Sequence, residues 1–293
     1  MSGKRSLNER EIRSLISLLD DEENSESLGL VRKQILLIGG PILPYLEEAQ
    51  SQEMSAPALA ENARAMVEEI RFQSLKEAFL AWARTIPINL EEGAFLLCRF
   101  SYPGLDPAPY RDWLDQVAAS VRDEIPSEAA SYEAFQKINS HLFHRLGFSA
   151  SESRYYDPDN AYLSRVVDTR RGMALSLGVL YLLICRRLKL KAFGVAAPGH
   201  FLVGFRDGRT PCFIDPVQNG RFLDFEEGRK LVVRSGYEFR PEFLSPAAPW
   251  SIILGLIRWL ISIYRHSGSV KATRLSELVE FLLISRAPLR HRS

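Results

Sequence analysis

Apolar side chains crowd positions 172–184, GMALSLGVLYLLI, and no polar stripe interrupts them. A helix that is apolar all round is walled in on every side. Arg186, Arg187, Lys189 and Lys191 follow, cations placed where a helix end carries partial negative charge. The pattern then turns strand-like over 192–197, 200–205 and 212–215. Asp207-Gly208 between the last two runs is a hairpin signal. A four-residue loop, 206–209, keeps Pro211 away from a ladder position that must donate an N–H. In that register His200 faces Asp215 directly, with Cβ atoms roughly 4.5–5.5 Å apart on one face of the sheet.

Helical periodicity dominates the rest of the chain. Ser6-Leu7-Asn8-Glu9 reads as a capping box opening a helix that turns Ile12, Leu15, Ile16 and Leu19 inward. Further helices are predicted over 27–38, where Gly39-Gly40-Pro41 stops the chain, from 42 onward, and over 56–85. This pairing resembles a HEAT-type repeat of at most one and a half copies. Helices are also predicted over 88–100, 107–125 and 131–147. The polar stretch 149–160 ends in the turn Tyr155-Tyr156-Asp157-Pro158-Asp159-Asn160. Asp224 caps one more helix, 241–249 reads as a Pro-rich linker, and 250–264 with 272–285 form a closing helical hairpin. The predicted class is α+β: a buried helix on a small antiparallel sheet between helical regions, divided as 1–86, 87–245 and 246–293.

Composition narrows the function classes. With 37 Lys and Arg against 36 Asp and Glu, neither nucleic acid nor an anionic membrane is called for. Three cysteines without paired spacing point to a reducing compartment. The first residues, MSGKRSLNEREIRS, lack an apolar leader core, and the run 250–264 is short of the ~20 residues that span a bilayer. A cytoplasmic protein is expected. No phosphate loop, HExxH or CxxC pair occurs, and His141 and His144, at i and i+3, have no third ligand at recognisable spacing. Neither cofactor nor metal is expected.

The candidate chemistry lies at the hairpin. An imidazole held by a carboxylate beside a helix start is two-thirds of a nucleophile–His–Asp triad. Its plain alternative is a structural cross-strand pair. Ser176 is better placed as a buried hydroxyl bonded to backbone than as a nucleophile. Cys185 falls about 16 Å along the axis from the helix start, Cys212 has the wrong strand parity, and Cys98 lies on another helix.

Helix, strand with His, strand with Asp-Pro is an order that resembles the transglutaminase-like, papain-related superfamily. Three stretches, YYDPDNAYLSRVVDTRRGMALSLGVLYL, PGHFLV and IDPVQNG, are similar to the bacterial SirB-type regulator proteins of that superfamily. The resemblance covers about residues 90–245 and places Ala174 at the position of the nucleophilic Cys. That branch as a rule lacks the Cys too, with Arg-Gly-Ile-Pro there; Met173-Ala174 here is a further departure. It implies a non-catalytic binding, regulatory or scaffold module with a tetratricopeptide-like tail. The alternative is a hydrolase in which His200 and Asp215 activate water or a non-Cys nucleophile on amides or esters. Tyr155, Tyr156, Asp157, Asn160, Arg171 and Gly172, gathered near the helix start, are the candidate ligand contacts, and a protein or peptide partner is expected.

Overall fold

A computed structural model describes residues 8–20, 25–126, 131–151 and 156–286. The chain divides into two compact units, 1–78 and 79–293.

The first unit is helical. Its α1 (Glu9–Ser17), α2 (Ser25–Ile38), α3 (Leu43–Gln50) and the start of α4 (Pro57–Arg84) share one core of Ile12, Ile16, Val31, Ile35, Leu46, Ala63 and Val67. The capping box forms two residues later than predicted. Asn8 Oδ1 accepts the Glu11 amide at 3.0 Å, and Glu11 accepts the Asn8 amide at 2.8 Å; Ser6 lies outside the described residues. Gly39 ends α2 with φ 70°, in the left-handed region that favours glycine.

The second unit continues with α5 (Leu90–Ser101), α6 (Ala108–Glu124) and α7 (Ser131–Asn139), the last running into a π-helical turn, Ser140–Arg145. A two-residue strand β1 (Ser149–Ala150), a 3-10 turn Pro158–Ala161 and α8 (Leu163–Thr169) lead to β2 (Arg171–Gly172), which pairs in parallel with β1. Next comes α9 (Ala174–Arg187). Residues Ser176 to Cys185 are buried without a break, because α5, α6, α8 and the sheet enclose the helix on all sides.

The sheet is antiparallel, in the order β3 (Ala192–Ala197), β4 (His200–Asp207), β5 (Thr210–Asp215), β6 (Arg221–Leu223). It is followed by α10 (Phe225–Arg234), α11 (Pro249–His266) and α12 (Lys271–Arg286). Alternation along the strands gives it two different faces. Phe201 and Phe205 look towards the helices: the Phe201 ring sits where a Cβ on Gly178 of α9 would be 2.3 Å away, and the Phe205 ring centroid lies 4.0 Å from that of Phe135. Val195, Leu202, Phe213 and Leu223 form the other face and pack with Val232 of α10 and Leu244.

Two expectations are corrected here. The β4–β5 loop is Gly208-Arg209, and Asp207 pairs with Thr210. Gly208, at φ 60°, takes the first turn position, where a II′ turn uses glycine. Pro211 then faces Arg206 one step beyond the closing pair, a site that needs no N–H. Shifting a short loop by one residue meets the same proline constraint as lengthening it. The segment 241–249 is also not a free linker. It holds a 3-10 turn, Pro241–Leu244, buries Leu244, and the Ala247 amide donates to Gly194 O at 2.7 Å on the outer edge of β3.

Candidate functional site

The start of α9 is fixed by backbone and hydroxyl bonds. Met173 is its extended N-cap and Ala174 its first residue, half-buried. The Met173 amide donates to Asn160 O at 3.2 Å and to Ser176 Oγ at 3.1 Å, while Ser176 Oγ donates to Asn160 O at 2.5 Å. Ser176 is therefore a buried, backbone-bonded hydroxyl. Gly172 leaves no room for a side chain: a Cβ there would lie 2.9 Å from Ser176 Oγ.

The expected ligand contacts separate. Asn160 and Gly172 do meet the helix start. Asp157 caps the 3-10 turn through the Asp159 amide, at 2.9 Å, and Tyr156 turns towards α11, stacking on His266 at 5.6 Å. Tyr155 lies outside the described residues. The Arg171 guanidinium, exposed, donates to Gly147 O at 2.9 Å. Arg170, expected beside Arg171 at the helix start, has φ 59° and lies between the rings of Trp113 and Phe148, at 4.7 and 4.8 Å. That burial pushes its guanidinium below the ordinary value.

His200 and Asp215 do not face each other directly. Val203 pairs with Ile214, so the two residues are diagonal neighbours on one face. Among the described residues no hydrogen bond or ion pair joins them. The face they share, with Leu202 and Phe213, packs on α10 rather than on α9. His200 Nε2 lies 3.0 Å from Ser235 Oγ at the end of α10. Asp215, 1% exposed, spends both oxygens on its own connection: Oδ1 accepts the Val217 amide at 3.0 Å and Oδ2 accepts Gln218 Nε2 at 2.9 Å. Its carbonyl accepts the Gly220 amide, also at 3.0 Å. The motif IDPVQNG is thus a self-bonded turn organised by its aspartate.

Burial depresses the pKa of His200, and the charge of Asp215 opposes this in part. A histidine depressed in the folded state contributes stability that is present above its unfolded value of about 6.5 and is lost as pH falls through the folded value. Urea midpoints of the wild type should accordingly decline below about pH 6.5, and the difference between wild type and His200→Gln should shrink over that range. A pH-independent difference would contradict the assignment.

The thiols are poorly placed for chemistry. Cys98 and Cys185 are buried, Cys212 is half-buried, and burial pushes all three thiols up. His141 Nδ1 lies 3.4 Å from Glu124 and His144 is exposed. Among the described residues no group of three or more His, Cys, Asp or Glu could hold a metal, and no helix is long and apolar enough to cross a membrane. A second polar cluster went unread in the sequence: Ser101 Oγ, Tyr162 Oη and Tyr264 Oη form a closed ring at 2.8, 3.0 and 3.2 Å.

A buried helix on a four-stranded antiparallel sheet, with His and Asp-Pro on successive strands, defines a transglutaminase-like core. The chain belongs to the transglutaminase-like superfamily, whose profile matches residues 108–258. It is similar to the UPF0162 protein of Xylella fastidiosa (strain 9a5c), 33% identical over 190 residues, or 63% of this chain and 67% of that one. It is also similar to a UPF0162 protein of Pseudomonas aeruginosa, 27% identical over 185 residues, covering 62% and 67%. A shorter likeness, 29% over 103 residues, joins 35% of this chain to 16% of the F-box only protein 21 of Homo sapiens. The matches span about two thirds of the bacterial relatives. No solved structure matches this chain.

Proposed function

We propose that this protein is a non-catalytic, SirB-type member of the superfamily, a cytoplasmic regulatory or scaffold module that binds a protein or peptide beside the start of α9. The observation that carries this reading is that the first residue of α9 is Ala174, whose methyl group cannot attack a carbonyl. The burial of Cys98 and Cys185 supports it. Exposed Arg171 with half-exposed Ala174 and Leu175 offers a mixed polar and apolar surface there. On this reading the core 87–245 is flanked by partner-facing helical regions, 1–86 and a tetratricopeptide-like 246–293.

Two measurements on the wild type and Arg171→Ala test it together. Turnover of glutamine amides and simple esters should be absent before and after treatment with iodoacetamide. Affinity capture of the native partner should weaken more than about tenfold in Arg171→Ala, with the melting temperature nearly unchanged, since exposed substitutions of this kind shift stability little. Turnover abolished by a single Cys→Ser change would overturn the non-catalytic reading. A loss of stability with capture intact would overturn the binding role.

A further inference from the structure

The outward face of the closing helical hairpin carries two rows of side chains with few partners of their own. On α11, Arg258, Ser262 and Arg265 are exposed at i, i+4 and i+7, along one side of the helix. On α12, Ser276, Val279 and Glu280 line the facing side, and Leu283, 46% exposed, continues their row. Between the rows runs a groove of about 450 Å³ that reaches down to Ile261, 8% exposed. One end is tied across: Arg265 Nη2 donates to Ser276 Oγ at 3.2 Å, and Ser276 Oγ donates to Ala272 O at 2.9 Å. A guanidinium has five N–H groups, so Arg265 keeps most of its donors. The side chains of Arg258, Ser262 and Glu280 make no hydrogen bond or ion pair among the described residues. One wall is therefore cationic, and the other is apolar with a single carboxylate.

Charge and shape select the occupant. The chain after α12, 287–293, carries Arg290 and Arg292 and no acid, so the arginine wall repels it. A second copy docked through the same face brings two arginines for each glutamate, again a net repulsion. An anionic membrane suits the face less well. Glu280 lines the groove beside the cations, and Ile261 lies at a depth that a flat surface does not reach. A segment with acids on one edge and apolar residues on the other meets both walls at once. Arg258 and Arg265 stand about 10 Å apart along the axis, the spacing of acids seven residues apart on a partner helix. Apolar residues between those acids then fall against Val279 and Leu283.

We propose that the outer groove of the α11–α12 hairpin docks an acidic amphipathic helix of a partner protein, its carboxylates on Arg258 and Arg265 and its apolar edge on Val279 and Leu283. This deepens the partner-facing role given above to 246–293 and does not depend on the site at the start of α9. The charges set the orientation and the salt sensitivity of the complex, and the apolar contacts hold it.

Fluorescence anisotropy on the full chain tests this with a labelled peptide of about three heptads, Leu at a and d and Glu at e and g. The like charges also keep the peptide from pairing with itself. It should bind with a Kd below about 100 μM, and its counterpart with Lys at e and g about tenfold more weakly. The double variant Arg258→Glu, Arg265→Glu should reverse that preference, and Leu283→Ser should weaken the Glu peptide. All three positions are exposed, so melting temperatures should stay close to wild type. No binding of the Glu peptide, equal binding of the two peptides, or an unchanged preference in the double variant overturns the proposal. Binding to phosphatidylserine vesicles in place of the peptide assigns the face to a membrane and overturns it equally. Arg171→Ala should bind the peptide as the wild type does, so failure here and failure of the α9 reading are separate results.

Discussion

Replacing Leu180 by Ala should lower the unfolding free energy by about 2–5 kcal/mol, the range for a large-to-small change at a site that cannot collapse. Leu180 is 1% exposed, in the middle of α9, where buried residues run without a break from Ser176 to Cys185. Neighbours on every side are parts of regular elements, held in place by their own hydrogen bonds, so the cavity stays open. The tie from Tyr181 Oη to Asn139 Oδ1, at 2.8 Å, and from Asn139 Nδ2 to Gly220 O, at 2.6 Å, fixes the helix further against α7 and the β5–β6 turn. Denaturant titration measures the loss. A change below about 1 kcal/mol would mean that α9 is not the centre of the core.

Asp215→Ala is the second large effect, expected at about 2–4 kcal/mol. The substitution removes the cap of the turn Pro216–Gln218 and takes the acceptor from the part-buried Val217 amide and from the exposed Gln218 side chain, leaving the buried site of the carboxylate empty. Asp215→Asn keeps one carbonyl oxygen and should cost about half as much. The sign against a catalytic role is explicit: a residue that served only to orient His200 would lose little stability in either variant. Equilibrium unfolding of the two variants beside the wild type separates these outcomes.

The order of elements around α9 was legible in the sequence because two unlike periods adjoin there: an all-round apolar run, then strands bounded by Gly and Pro. Strand parity was legible too, so His200 and Asp215 do share a face. The register was not. Asp207-Gly208 marks a turn without saying which of its residues is first, and a shift of one in the loop centre moves each facing pair by two. The side of the sheet was equally hidden, since β4 is buried on both faces from Phe201 to Phe205 and alternation in hydropathy vanishes. Strands β1 and β2, of two residues each, are too short to carry a period. The partners of His200 and Tyr162, 35 and 102 residues away at Ser235 and Tyr264, are set by tertiary packing, which no local pattern records. The segment 241–249 misled because prolines mark linkers and edge-covering turns alike.

That last segment has a consequence for how the molecule keeps to itself. A sheet in the order β3-β4-β5-β6 has two open sides, and a bare side is a template on which another chain can grow. At one side β6 is three residues long, too short to recruit a neighbour. At the other, the Ala247 amide occupies Gly194 O, and the Ile252 side chain lies where a Cβ on Gly194 would be 2.8 Å away. The proline-rich strap thus works as a guard against strand-to-strand aggregation, and a chain shortened before 241 would carry β3 with its outer edge open.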